Sequence, residues 1–305
     1  MIWLNQVVQR VLLGGYYAIL ASGLALLFGV MRIINLAHGD LAVLGAFLVL
    51  VLTDHGINAF VALAVVLPVM ALGGWALYRT ILERSLKGGA LVPPLSTFGL
   101  AIVIQNLLFE KFGADERSLG PSIGSLSYDS WQLTNEIYVG KLAVLIFVVA
   151  VAVLVGLQLF LGRTPIGRAM RATAEDPDTA ELVGVNSRAV YALAAAIALA
   201  TVGLAGAFLG MRSTFDPYSG SSQLIFAFEA VVIGGMTLGG TLVGAIVLGV
   251  AQTIGSQMAA EGWIKDVWGG PGAGDIVFLV VLAGRLVVSA IDARGGWRGV
   301  LGLWA

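Results

Sequence analysis

Cysteine is absent from this 305-residue chain, so disulfides, thiolate metal sites and thiol redox chemistry are excluded. Histidine occurs only as His38 and His55, and neither sits in an HExxH run or beside carboxylates at metal-binding spacing. There is no GxSxG nucleophile elbow, and Lys87, Lys111, Lys141 and Lys265 all lie outside any GxxxxGK[ST] phosphate loop. The chain is therefore not read as an enzyme, and it holds no cofactor of its own. If nucleotide energy drives it, a separate subunit supplies that energy. Charge is scarce too, at 11% of residues with a net of -1, which leaves no basic field for nucleic acid.

What remains is apolar. Hydrophobic residues make up 58% of the chain and the mean hydropathy is +0.94, values that describe an integral membrane protein. Runs long enough to cross roughly 30 Å of hydrocarbon lie near 11–31, 57–78, 91–112, 138–161, 189–211, 240–258 and 274–291. The first runs on from an N-terminus with no basic n-region, so it reads as a retained helix and not as a signal peptide. Residues 34–52 and 224–236 are shorter or more polar, and each is either a tilted span or a broken, partly re-entrant one. The expected fold is one all-α transmembrane domain over 1–305, with about 8–9 membrane helices, some of them short or broken. With both ambiguous segments counted, the N-terminus lies outside and the C-terminus inside. No internal repeat is visible along the chain.

Basic residues cluster in alternate loops: Arg79, Arg84 and Lys87; then Arg163, Arg168, Arg171 and Arg188; then Arg285, Arg294 and Arg298. Those loops are expected to be cytoplasmic. The loop at 113–137 carries Asp115, Glu116, Asp129 and Glu136 against a single Arg, which suits the external face. Glycine pairs at small-xxx-small spacing, Gly206 with Gly210, Gly235 with Gly239 and Gly240 with Gly244, predict close helix packing.

The segment 162–188 is the one long, charge-dense stretch between apolar runs. Thr164-Pro165 and Asp176-Pro177 each read as an N-cap followed by proline at the first helical position, and Gly184 stands where a left-handed C-cap belongs. Two short helices follow, the first basic and the second acidic through Glu175, Asp176, Asp178 and Glu181. Such an element is either an ordered docking surface for a partner or a tidy solvated loop.

Polar residues within the apolar runs are few, and each is costly enough to be a candidate. Asn35, His38 and Asp40 are expected at the cytoplasmic mouth of the second span. They either line a pathway or form a membrane-edge turn in which the carboxylate orients the ring. Gln105 and Asn106 follow the Pro93-Pro94 pair, and Glu229 is an isolated acid serving either a pathway or helix packing.

Four segments in order resemble the permease subunits of the branched-chain amino acid ABC transporter family, which also includes urea and amide importers. They are Gly14–Phe47 with its N-x-A-H-G-D core at Asn35 to Asp40, STFGLAIVIQNL at Ser96–Leu107, GRAMRATAEDPDTAELVGVN at Gly167–Asn186, and the glycine-rich Ala227–Gly249. The resemblance implies a multi-pass inner-membrane subunit of an ATP-driven importer, embedded among membrane lipids. It also implies a second homologous permease chain, two ATPase subunits and a periplasmic solute-binding protein as partners. Its coupling element would comprise Gly167, Arg168, Arg171, Asp176, Pro177, Glu181 and Gly184, and its pathway Asn35, His38, Asp40, Gln105, Asn106 and Glu229. Branched-chain amino acids are the default solute, with urea and short amides behind. The rival classes are an ion-coupled secondary transporter built on Glu229, and a pore or membrane scaffold.

Overall fold

A computed structural model describes residues 2–134 and 137–260. The helices are α1 (Ile2–Met31), α2 (His38–Asp54), α3 (Ala59–Leu77), a single turn α4 (Glu83–Ser85), α5 (Val92–Phe112), α6 (Lys141–Arg163), α7 (Pro165–Glu175), α8 (Pro177–Leu182), α9 (Ser187–Arg212), α10 (Gly220–Ile233) and α11 (Leu238–Ala260). Two short antiparallel strands, β1 (Ser130–Thr134) and β2 (Ile137–Gly140), form a hairpin that the all-α expectation did not include.

Five helices among the described residues are long and apolar enough to cross a membrane, with the bent pair α10–α11 as a sixth. This is fewer than expected, partly because the run at 274–291 and the terminal arginines 285, 294 and 298 lie outside the described residues. The segment 34–52 is also not a full span. Residues 32–37 leave the end of α1 without helical structure, and α2 begins only at His38. The His38 ring bonds the Leu20 carbonyl at 2.8 Å, which lies three helical turns, roughly 16 Å, before Met31 along α1. The first turn of α2 is thus deep in the bundle. The segment 224–236 is the second part of α10 and the turn after it, and α10 is bent by 115° from α11.

The loop contacts mark the two ends of the bundle. Arg188 reaches Glu83 at 3.5 Å, joining α4 to the first turn of α9 on a basic face. At the opposite end the backbone of Arg117 pairs with that of Phe215, and the side chain of Asn5 accepts from the Tyr138 backbone at 3.3 Å. Lys141 there pairs with Asp129 at 2.9 Å.

An internal repeat does exist, in inverted form. Gly23-Leu24-Ala25, Phe28 and Met31-Arg32 at the end of α1 recur as Gly203-Leu204-Ala205, Phe208 and Met211-Arg212 at the end of α9. Each long helix is followed by a non-helical return and then a helix that starts with glycine in its first turns, Gly39 in α2 and Gly220 in α10. Each of these helices closes on the same cap. Gly56 (φ 83) and Gly235 (φ 82) are left-handed, with Gly56 N–H to Thr53 C=O and Ile57 N–H to Leu52 C=O matched by Gly235 N–H to Val232 C=O and Met236 N–H to Val231 C=O. Asn58 then caps α3, and the Thr237 hydroxyl accepts from Gly240 N–H at the start of α11. The packing repeats as well, α1 against α11 as α9 against α3. The repeat is easily passed over in the sequence because most of its matched positions are simply apolar.

α1 and α9 form the centre, 78% buried over their apolar windows, whereas α3, α5 and α6 are peripheral at 33%, 28% and 17%. Gly206 lets α9 meet α2 closely, since a Cβ there would lie 1.9 Å from the Ala42 carbonyl oxygen. Gly244 likewise packs on α10 and Gly240 on Gly234 just past its end, but Gly235 is a turn residue, so the expected Gly235 with Gly239 contact is not one of helix packing.

Candidate functional site

The two half-length helices meet at their N-termini. A Cβ on Gly39 would stand 1.9 Å from the Gly220 carbonyl oxygen, and one on Gly220 would stand 2.1 Å from Asp40 Oδ1. Only hydrogen fits at either place. Asp40, in the first turn of α2, is 2% exposed, and its Oδ1 accepts a hydrogen bond from Gln105 Nε2 of α5 at 2.8 Å. Among the described residues no basic group pairs with Asp40. Its place in the first turn of α2 sets it at the positive end of that helix dipole.

Asn35 and His38 are fully buried beside this junction. The Asn35 carboxamide oxygen accepts from Ala37 N–H at 3.0 Å, shaping the turn before α2, and the backbone N–H of Leu36 donates to Thr97 Oγ1 of α5 at 3.0 Å. Because a carbonyl only accepts, the bond to Leu20 places the imidazole proton on His38 Nε2. The cytoplasmic-mouth position is thus corrected to a buried one inside the bundle, and the alternative in which the carboxylate orients the ring does not hold, since a backbone carbonyl takes that place. Asp40 turns to Gln105.

Gln105 is half-buried, at the edge of an α5 face that the rest of the chain leaves open. That face exposes Leu95, Phe98, Ile102, Val103 and Leu107, together with Asn106, whose Nδ2 donates to the Ile102 carbonyl at 2.8 Å. Glu229 lies elsewhere, buried within α10 at 1% exposure and within electrostatic range of Tyr17. Asn35, His38, Asp40 and Gln105 therefore form one cluster. Asn106 lies beside it on the open face, and Glu229 does not join it.

The second candidate is the α7–α8 element on the basic face. Thr164 accepts from Gly167 N–H at 2.9 Å, and Asp176 accepts from Asp178 and Thr179 N–H at 3.0 and 3.2 Å, so both expected N-caps form with Pro165 and Pro177 at the first positions. The Thr179 hydroxyl and amide hold the Asp176 carboxyl below its ordinary range. Gly184 takes φ 89 and ends α8. α7 turns back tightly under α6, for a Cβ on Gly167 would lie 2.2 Å from the Phe160 carbonyl oxygen. Met170 and Thr173 are buried under the bundle. Arg168 donates to the Arg163 carbonyl at 3.4 Å and Arg171 to that of Leu161, so both guanidinium groups serve the C-terminal carbonyls of α6.

Beside these contacts a cavity of about 230 Å³ lies between α7 and the bundle. Its lining includes Val30 of α1, Met170 and Arg171 of α7, and Met236 in the turn between α10 and α11. Met236 is itself left-handed, at φ 58. The element thus lies under both α1 and the end of the second half-helix. At its far tip Leu182 and Val183 are 87% and 77% exposed. The sequence reading passed over this aliphatic pair in favour of the neighbouring charges; two aliphatics directly before a C-cap glycine were the available signal.

Comparison with known proteins accords with this architecture. Residues 6–285 match the model of the family described as branched-chain amino acid transport system, permease component. The chain is 31% identical over 277 residues to the high-affinity branched-chain amino acid transport system permease protein BraD of Pseudomonas aeruginosa, covering 87% of this chain and 90% of that one. It is 28% identical over 280 residues to LivH of Escherichia coli, covering 87% and 89%. A probable branched-chain amino acid transport permease protein LivH of Methanocaldococcus jannaschii is 27% identical over 290 residues, covering 92% and 89%. This multi-pass membrane chain belongs to the family of branched-chain amino acid transport permease components.

Proposed function

We propose that this chain is one of two homologous membrane subunits of an ATP-driven importer for branched-chain amino acids. A soluble periplasmic protein delivers the solute to the hairpin face, and two ATPases attach at the basic face of the inner membrane. The observation that carries the reading is the α7–α8 element. It is capped at both starts, anchored through Gly167 and Met170, and presents Leu182 and Val183 to the space beyond the bundle. An exposed aliphatic pair on a rigid, polar-flanked tip suits a groove of a partner better than water. Movement of that tip would pass through α7 to α1 and to the turn at Met236.

The second permease chain covers the open face of α5. Asn106 and Gln105 make that face ill-suited to lipid alone, and its mostly apolar lining matches an aliphatic side chain in transit. Selectivity rests largely with the delivering protein, so the path needs few polar groups. The test is gentle purification from native membranes with identification of what accompanies the chain. Recovery of a second permease and ATPase subunits supports the proposal; repeated recovery of this chain alone in several detergents refutes it.

A further inference from the structure

The Asp40–Gln105 bond has a directional consequence. Gln105 Nε2 donates to Asp40 Oδ1, so the amide turns its NH2 group toward Asp40 and its carbonyl oxygen away from it. Asp40 sits in the first turn of α2 against the start of α10, where Gly220 leaves no room for any other group, so its carboxyl is fixed in place facing Gln105. Gln105 is half-buried and borders the open α5 face. We infer that Gln105 Oε1 is the mid-membrane acceptor for the ammonium group of the amino-acid solute, with Asp40 as the residue that fixes its orientation. This deepens the proposed function and rests on it.

The arrangement has physical sense. A bare carboxylate on the path would hold an ammonium too firmly for release, whereas a neutral carbonyl, polarised through its amide by the buried acid, binds it more weakly. Ile102 and Phe98, one and two turns away on the same side of α5, offer contact to an aliphatic side chain. Asn106 cannot take over the role unchanged, since its amide is turned onto its own helix.

The test uses the complete transporter in proteoliposomes for leucine uptake, alongside equilibrium binding of leucine and of its deaminated 2-oxo acid to the purified permease–ATPase complex freed of its binding protein. Gln105→Leu is expected to weaken leucine binding about tenfold or more while leaving 2-oxo acid binding unchanged. Asp40→Asn frees the amide to turn over and is expected to narrow the same preference. The double change Asp40→Asn with Gln105→Glu reverses the hydrogen bond but keeps an acceptor at 105, and is expected to restore the preference for leucine. Equal binding of the two solutes by wild type, or an unaltered preference in Gln105→Leu, overturns the inference. Failure of the wild-type complex to take up leucine at all refutes the proposed function instead.

Discussion

The carboxylate of Asp40 occupies the volume that any side chain at position 220 would need, with Oδ1 2.1 Å from where a Gly220 Cβ would stand. An acid in the first turn of one half-helix thus packs directly on the first residue of the other. Gly220→Ala is expected to part the two N-termini and destabilise the bundle by about 1–3 kcal/mol, the usual cost of overpacking. Gly99→Ala, which meets nothing within 4 Å, is the control. Thermal unfolding in detergent separates them; equal midpoints would show that the junction is slack.

Gly167 bears the same relation to the coupling element, because its absent Cβ admits the carbonyl of Phe160. Gly167→Ala should displace α7 from α6 and lower ATPase retention several-fold in pull-downs. Gly162→Ala, in open space, should leave retention intact. Loss in both, or in neither, would remove the packing argument.

Arg171 donates to the Leu161 carbonyl and lines the cavity beneath α1. Arg171→Glu is expected to repel the C-terminal end of α6 and to loosen ATPase attachment without unfolding the membrane helices. An unaltered pull-down would count against it.

Asp176 has a carboxyl pKa below its ordinary 3.8 because it accepts from the Thr179 hydroxyl and amide. Its contribution to α8 is therefore full above that ordinary value and fades only as pH falls through the lower folded value. Amide protection at Asp178 and Thr179, corrected for intrinsic exchange, should hold steady from pH 7 to about 4. It should fall at neutral pH in Asp176→Ala but largely persist in Asp176→Asn, which can still cap. Protection lost between pH 7 and 5 would contradict this.

Glu229 is buried in α10 away from the Asp40 cluster and has interactions within the chain. Glu229→Gln is expected to keep uptake within about twofold of wild type, since a packed carboxamide replaces a packed carboxyl. Abolished uptake would restore the acid to the pathway.

Much of this was readable from residue order. The caps at Thr164, Asp176 and Gly184 rest on local chemistry, and the long apolar spans on composition, so both emerge without tertiary knowledge. The depth of His38 did not, because the return of residues 32–37 into the bundle depends on packing against α1 and α5, which no local pattern encodes. The same holds for the inverted repeat. Its signature is shared cap geometry at Gly56 and Gly235 more than shared side chains. Asp40 read as a partner for His38 because the two are neighbours in sequence, yet its partner Gln105 comes from a distant helix.

The most direct test of the central claim is labelled leucine uptake into proteoliposomes that hold the purified transporter, supplied with its loaded binding protein. The account predicts uptake that requires ATP and is unaffected when ionophores collapse ion gradients. Uptake driven by an ion gradient without ATP would contradict it.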